Sequence, residues 1–173
     1  MLVTRVLAVA ALAVTNVLAI ANIDQTVSDI QEITHKTRVV KRAIENFNGG
    51  IPSALRVANA IYSAHAAAEM TRKHIGSSDP FSDEDGDKTM DAYNEFYPVL
   101  LATLQAGQEK APEVRRSGFA YLTQGMVSNL YNEKTRVEEA MHSQLSSNHS
   151  RMLEPTMHQV DIEFKKTLDS YQG

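Results

Sequence analysis

Cysteine and tryptophan are missing from this 173-residue chain, and glycine and proline are scarce at eight and five. Without cysteine there is no disulfide framework, no thiolate metal site and no thiol nucleophile. Few glycines and prolines speak against a turn-dense all-β sandwich. Excess positive charge is also lacking: 17 Lys+Arg stand against 21 Asp+Glu, a formal charge of −4. A nucleic-acid binder needs a cationic footprint, so no nucleic-acid partner is expected. Familiar catalytic signatures are absent too. There is no His-Glu-x-x-His, no Gly-x-Ser-x-Gly, no P-loop and no dinucleotide fingerprint, so the chain is read as a non-enzyme.

What is present is a globular composition, 43% hydrophobic and 22% charged, of a length that suits one domain. The first 21 residues read as a signal peptide. Arg5 gives the positive start, Val6 to Ile20 is uncharged, and Ala19-Ile20-Ala21 offers a small-x-small cleavage site. The apolar stretch falls short of the ~20 residues that span a bilayer, and no second one follows, so no transmembrane insertion is expected. The domain proper is then 22–173, secreted and extracellular. Asn148-His149-Ser150 is the one glycosylation sequon, which makes Asn148 a candidate in a loop expected over Ser146–Ser150.

Past Asn22 the apolar residues recur at steps of three and four, the mark of amphipathic helices. Ile23, Val27, Ile30, Ile33, Thr37, Val40, Ile44 and Phe47 share the first face, and Gly49-Gly50 ends it. The second helix opens near Pro52, carries Leu55, Ala58, Ile61, Tyr62, His65 and Ala68, and closes at Gly76. The third has Ser82 as its cap and Asp83, Glu84, Asp85 and Asp87 near its positive dipole end. Its face is Met90, Tyr93, Tyr97, Leu100 and Leu104, with a kink expected at Pro98. A break is expected from Gly107 to Pro112. A long fourth helix then runs from about Glu113 to Leu145 with Phe119, Leu122, Met126, Leu130, Val137 and Met141 inward. The fifth carries Leu153, Met157, Val160, Phe164, Leu168 and Tyr171. Five helices on short connections predict an all-α fold, a single antiparallel bundle.

Clusters that resemble metal sites do not hold up. Aligning Gly86 with the sixth position of a calcium loop puts Phe81 first and Ala92 twelfth, and neither side chain can ligate. Glu32 and His35 have the spacing of a di-iron pair, but the second pair is missing. Glu138/His142 and Glu154/His158 are spaced to interact along a helix surface. No metal or cofactor is expected.

Small and flexible side chains carry the functional hint. Alanine crowds the second helix and methionine is spread over the others. Small residues leave room and methionine adapts to irregular partners, which suits an apolar ligand between helices. Close helix packing with methionine as filler explains the same composition. His65 and Thr37 lie on apolar faces, either as bonded core residues or as polar anchors in a cavity.

The order of these features resembles the fungal hydrophobic surface binding protein A family, also called cell wall galactomannoproteins. The resemblance rests on Ile23-Asp24 through Val27-Ile30, on Phe47-Asn48-Gly49-Gly50 and on the Ala-rich helix. It continues through Pro80-Phe81-Ser82-Asp83-Glu84-Asp85, Tyr97-Pro98 with Leu100, Leu101 and Leu104, and the Ile162 to Tyr171 ending. It implies a secreted helical protein that binds hydrophobic surfaces or lipids. Fatty acids held inside the bundle, cell wall association, a hydrophobic polymer surface and recruitment of a secreted hydrolase all belong to what it implies. The expected ligand site is Ile30, Thr37, Val40, Leu55, Ala58, His65, Leu100, Leu122, Met126, Leu130 and Phe164. The alternative is a structural wall or host-interaction protein with no small-molecule ligand.

Overall fold

The computed structural model describes residues 23–172, so the signal-peptide reading of 1–21 and the cleavage before Asn22 lie outside the described residues. Five helices follow one another: α1 Ile23–Glu45, α2 Ile51–Gly76, α3 Asp83–Arg116, α4 Ala120–Gln144 and α5 Ser147–Ser170. Among the described residues there is no strand, and no helix is long and apolar enough to cross a membrane.

The connections are short and each reverses the chain, as in an antiparallel bundle. The helices close into a ring, in the order α1, α2, α4, α5, α3 and back to α1. Cross-ties fix the directions. Asp29 near the start of α1 meets His74 near the end of α2 at 2.6 Å, so those two run antiparallel. Thr103 and Lys110 of α3 reach the carbonyls of Thr37 and Phe47, so α3 runs parallel to α1. Among the described residues the backbones of α1 and α2 stay apart from that of α5, and the backbone of α1 stays apart from that of α4. The centre of the ring is therefore wider than a four-helix core.

The faces read from sequence hold for α1, α3 and α5. Ile30, Ile33, Thr37, Val40 and Phe47 are buried, as are Met90, Tyr93, Leu100 and Leu104, and Leu153, Met157, Val160, Phe164 and Tyr171. Ser82 caps α3 in a capping box, accepting from the Asp85 amide at 3.2 Å while Asp85 Oδ2 accepts from the Ser82 amide at 3.3 Å. That satisfies two donors which the helix start would otherwise leave free.

Two boundaries differ from expectation. No break occurs at 107–112, because α3 continues through Pro98 and Pro112 to Arg116. A proline inside a helix costs a backbone hydrogen bond. Here the flanking turns are held by Ala111 and Val114, both buried in the core. The chain reverses instead at Ser117-Gly118-Phe119, where Gly118 has φ +80, a conformation that glycine adopts without a Cβ clash. The expected loop 146–150 is also shorter. Ser146 caps α5 by accepting from the His149 amide, and Asn148 lies exposed in the first turn of the helix rather than in a loop.

The face of α2 holds at Ile61, which is buried, and at Ala68, which is half-buried, but not at its larger members. Leu55 and Tyr62 point to solvent, at 58% and 76% exposure, while Ala60, Ile61 and Ala64 are buried. One residue is about 100° round a helix, so an error of one position turns the face outward. Leu122 on α4 is likewise exposed, at 54%.

Candidate functional site: an apolar cavity inside the helix ring

The wide centre of the ring holds a cavity. The space between atoms amounts to about 1310 Å³, counting the part that opens to solvent. All five helices contribute. From α1 come Ile33, Thr37, Val40 and Ile44, with Phe47 just beyond it. From α2 come Ala54, Val57, Ile61, Ala64 and Ala68, a strict three-four-three-four stripe. Three of those five side chains are single methyl groups, and that is why the ring encloses space instead of filling it. The adjoining walls are built by Tyr93, Phe96, Leu100 and Leu104 of α3, beside α1, and by Met126, Val127, Leu130 and Val137 of α4, beside α2. Phe164, Thr167 and Tyr171 of α5 and its C-terminal cap complete the lining.

The lining is overwhelmingly hydrocarbon, and its polar groups are mostly already bonded. Thr103 donates to the Val99 carbonyl at 2.7 Å, and Thr167 to the Glu163 carbonyl at 2.7 Å. The Tyr171 hydroxyl donates to the Gly107 carbonyl at 3.0 Å. Burial pushes that phenol up to about 12, so it stays a neutral donor. Leu122 is the exposed member of the lining, so the cavity opens beside the first turns of α4. Phe119 and Phe47 meet edge to face at 6.4 Å on the same end of the bundle.

Charge enters the lining through Lys110, Lys134 and Glu138. Lys110 lies near the open end, donating to the Phe47 carbonyl at 2.9 Å and to Glu113 at 3.0 Å. Lys134 and Glu138 lie at the far end, 2.6 Å apart and one helical turn from each other, with side chains only 10% and 12% exposed. Lys134 also pairs with Asp161 of α5 and stands 5.8 Å from the centre of the Tyr131 ring. The Tyr93 hydroxyl approaches Glu138 Oε1 at 3.5 Å. Burial is the main cause that pushes the Glu138 carboxyl up to about 7, against the pull of Lys134. Burial also raises the Tyr93 phenol, and the neighbouring Glu138 adds to the effect.

Of the residues expected at the site, Thr37, Val40, Leu100, Leu122, Met126, Leu130 and Phe164 line the cavity. Ile30, Leu55, Ala58 and His65 do not. Ile30 is buried nearer the other end of α1. Leu55, Ala58 and His65 each stand one residue after a true lining position, Ala54, Val57 and Ala64, while the expected Ile61 and Ala68 do belong to the stripe. Thr37 does face the cavity, whereas His65 is half-buried and outside its lining. No sequence motif marks Lys134, Glu138 and Tyr93 as a group. Their only trace in sequence is the i,i+4 spacing of the first two, and Glu138 turns to Lys134 rather than to His142. Glu32 similarly pairs with Lys36, at 3.0 Å. Among the described residues no three His, Cys, Asp or Glu side chains gather to hold a metal ion.

Comparison by sequence with curated proteins gives no match. Comparison by fold gives several. AFMP4P in complex with palmitic acid superposes with a TM-score of 0.85 at 14% identity, covering 87% of this chain and 100% of that one. Ligand binding domain 1 of Penicillium marneffei MP1, complexed with arachidonic acids, has a TM-score of 0.81 at 14% identity and covers 88% and 99%. Domain 2 of the same protein, with multiple arachidonic acids, has a TM-score of 0.82 at 14% identity, with 88% and 97% covered. At such identity these likenesses speak for the fold. The sequence itself matches the family described as Hydrophobic surface binding protein A over residues 23–143. By that match, over most of its length, the chain belongs to the hydrophobic surface binding protein A family.

Proposed function

We propose that the chain is a secreted, non-enzymatic protein that holds a fatty acid with its hydrocarbon tail in the cavity of the helix ring. The observation that carries this reading is the continuous apolar lining drawn from all five helices. A tail that leaves water for such a lining gains about 0.8 kcal/mol per CH₂. The fatty acids named for three structural neighbours agree with it. Affinity for saturated fatty acids should rise with chain length until the cavity is filled and then level off. Ala64→Phe, at a buried lining position of α2, should abolish oleate binding with helicity intact. Ala58→Phe, off the lining, should not. Undiminished oleate binding by Ala64→Phe would move the ligand out of the ring. Secretion is tested by N-terminal sequencing of extracellular protein, which should begin at Asn22.

A second reading draws on exposure. Ile51, Leu55 and Tyr62 of α2, with Tyr121 and Leu122 of α4, are large apolar side chains 54% to 90% exposed. They crowd the N-terminal parts of two parallel, packed helices. Such a patch fits adsorption to a hydrophobic polymer or waxy wall surface, where a secreted hydrolase would gain from being held. Tyr62→Ser with Tyr121→Ser should weaken adsorption to a polyester film and leave oleate binding unchanged.

A further inference from the structure

The hydrocarbon lining gives way to charge at both ends of the cavity, to Lys110 near the opening and to Lys134 and Glu138 at the far, more enclosed end. Leu122 at the opening and Lys134 at the far end are twelve residues apart on one helix, roughly 18 Å at 1.5 Å per residue. That is comparable with the extended length of a long-chain fatty acid. A tail-out ligand would therefore bring its head group to Lys134. There one ammonium already serves two carboxylates, Glu138 at 2.6 Å and Asp161. A third carboxylate would add an uncompensated negative charge in a site where Lys134 and Glu138 are nine-tenths or nearly nine-tenths buried. Burying an unpaired charge is prohibitive, so one of the two resident carboxylates must become neutral.

We propose that Lys134 anchors the anionic head group of the ligand, and that Glu138 yields its place on the ammonium by taking one proton from solvent for each ligand bound. The inference rests on the reading of the cavity as an acyl-chain site. Charge is conserved at the site: the incoming anion replaces the Glu138 carboxylate, and Asp161 keeps its contact with Lys134. Glu138 is the better proton acceptor of the two because its side chain is 12% exposed against 33% for Asp161. Its carboxyl already titrates near 7. Once protonated it can donate to the bound anion, and the Tyr93 hydroxyl beside it remains a donor across the pH range of interest because burial raises that phenol. The other groups around it are Tyr131 on α4, Tyr97 behind Tyr93 on α3, and Asp161 on α5. On α2, the Arg72 guanidinium that reaches α4 is held by Glu133. His142, one turn beyond Glu138, is exposed.

Dodecyl sulfonate is the probe, because it stays anionic throughout and any proton taken up belongs to the protein. Titration calorimetry of the full-length mature protein in two buffers of different ionisation enthalpy reads that uptake. Expected at pH 8 is close to one proton per sulfonate bound, with affinity falling about tenfold from pH 6 to pH 8 as a single group near pH 7 is deprotonated. Glu138→Gln should remove both the uptake and the pH dependence while keeping tight binding. The double variant Lys134→Gln/Glu138→Gln should lose sulfonate affinity roughly tenfold and keep that for dodecanol, which has a similar tail and no charge. Sulfonate binding without proton uptake, or uptake that survives Glu138→Gln, overturns the inference. If dodecanol and sulfonate both bind but with no uptake, the acyl-chain reading stands and only the head-group assignment fails. If neither binds, both fail.

Discussion

Arg72 of α2 donates through Nε to Glu133 Oε1 of α4 at 2.6 Å, and the Glu133 side chain is only 2% exposed. Arg136 adds a longer contact at 3.4 Å from the other carboxylate oxygen. The pair ties two helices that together wall one side of the cavity. Removing one partner of a buried pair leaves a bare charge, which costs about 3–5 kcal/mol. Arg72→Met should therefore lower stability by about 3 kcal/mol, since Arg136 offers partial cover. Adding Glu133→Gln should restore much of the loss. Urea denaturation of the two single variants and the double variant measures the coupling.

Gly86, in the first turns of α3, lies against the ring of His149 on α5. A Cβ at that position would stand 2.6 Å from Nδ1. His149 is itself buried and fixed, with Nε2 3.0 Å from Asp87 Oδ1 and Nδ1 2.8 Å from the Ser146 hydroxyl. Alanine in place of a helical glycine normally gains up to about 1 kcal/mol. Here the crowding should outweigh that, and Gly86→Ala should destabilise by about 1–3 kcal/mol. In a His149→Ala background the same substitution should become neutral or stabilising, which thermal unfolding would show.

Stability should fall as pH rises through the window set by Glu138. Its carboxyl titrates at about 7 in the folded chain against 4.5 unfolded. The folded state thus holds the proton more tightly, and the stabilising difference is fully present below pH 4.5. It is lost as pH climbs to about 7 and stays lost above. The loss is on the order of 3 kcal/mol, at 1.36 kcal/mol per pKa unit. Glu138→Gln should flatten this slope and be the more stable protein at pH 8. Denaturation midpoints from pH 4.5 to pH 8 decide it.

Truncations should separate the packed end of the bundle from the open one. Leu153, 1% exposed, packs with Ile75, Met90, Met141 and Met157 at the end away from the cavity mouth. Leu153→Ala should cost about 2–5 kcal/mol. Leu122→Ala at the mouth should cost under about 0.5 kcal/mol, because that side chain is 54% exposed. Calorimetric melting of both variants gives the comparison.

Contrast between neighbouring residues decided which parts of this architecture could be read in advance. In α1, α3 and α5 large apolar residues alternate with charges, so the buried face stands out. The capping box at Ser82 is also local and legible. In α2 nearly every residue from Ala54 to Ala68 is small or apolar, and the periodicity loses its contrast. Leu55 and Tyr62 drew the face to themselves because they are large, yet they are the ones left in water. The α3–α4 boundary failed for a different reason. Gly107 and Pro112 are local breakers, but Gly107 sits where a Cβ would be 3.2 Å from the Tyr171 hydroxyl, and Ala111 is 1% exposed. Packing against α5 and the core outweighs the local cost.

The amino-acid sequence by itself determined the helical class, the number of helices and the inward faces of three of them, because those follow from periodicity, caps and turns within a few residues. It also carried the family resemblance. The tertiary structure alone decided that the five helices close into a ring, that Ala54, Ala64 and Ala68 of α2 face its centre, and that Lys134, Glu138, Tyr93 and Asp161 meet at the end of the cavity. Those groups come from three helices, and Tyr93 and Glu138 are 45 residues apart. Their shared environment, and with it the raised carboxyl of Glu138, arises only when packing removes water from around them, a property that no local window of sequence contains.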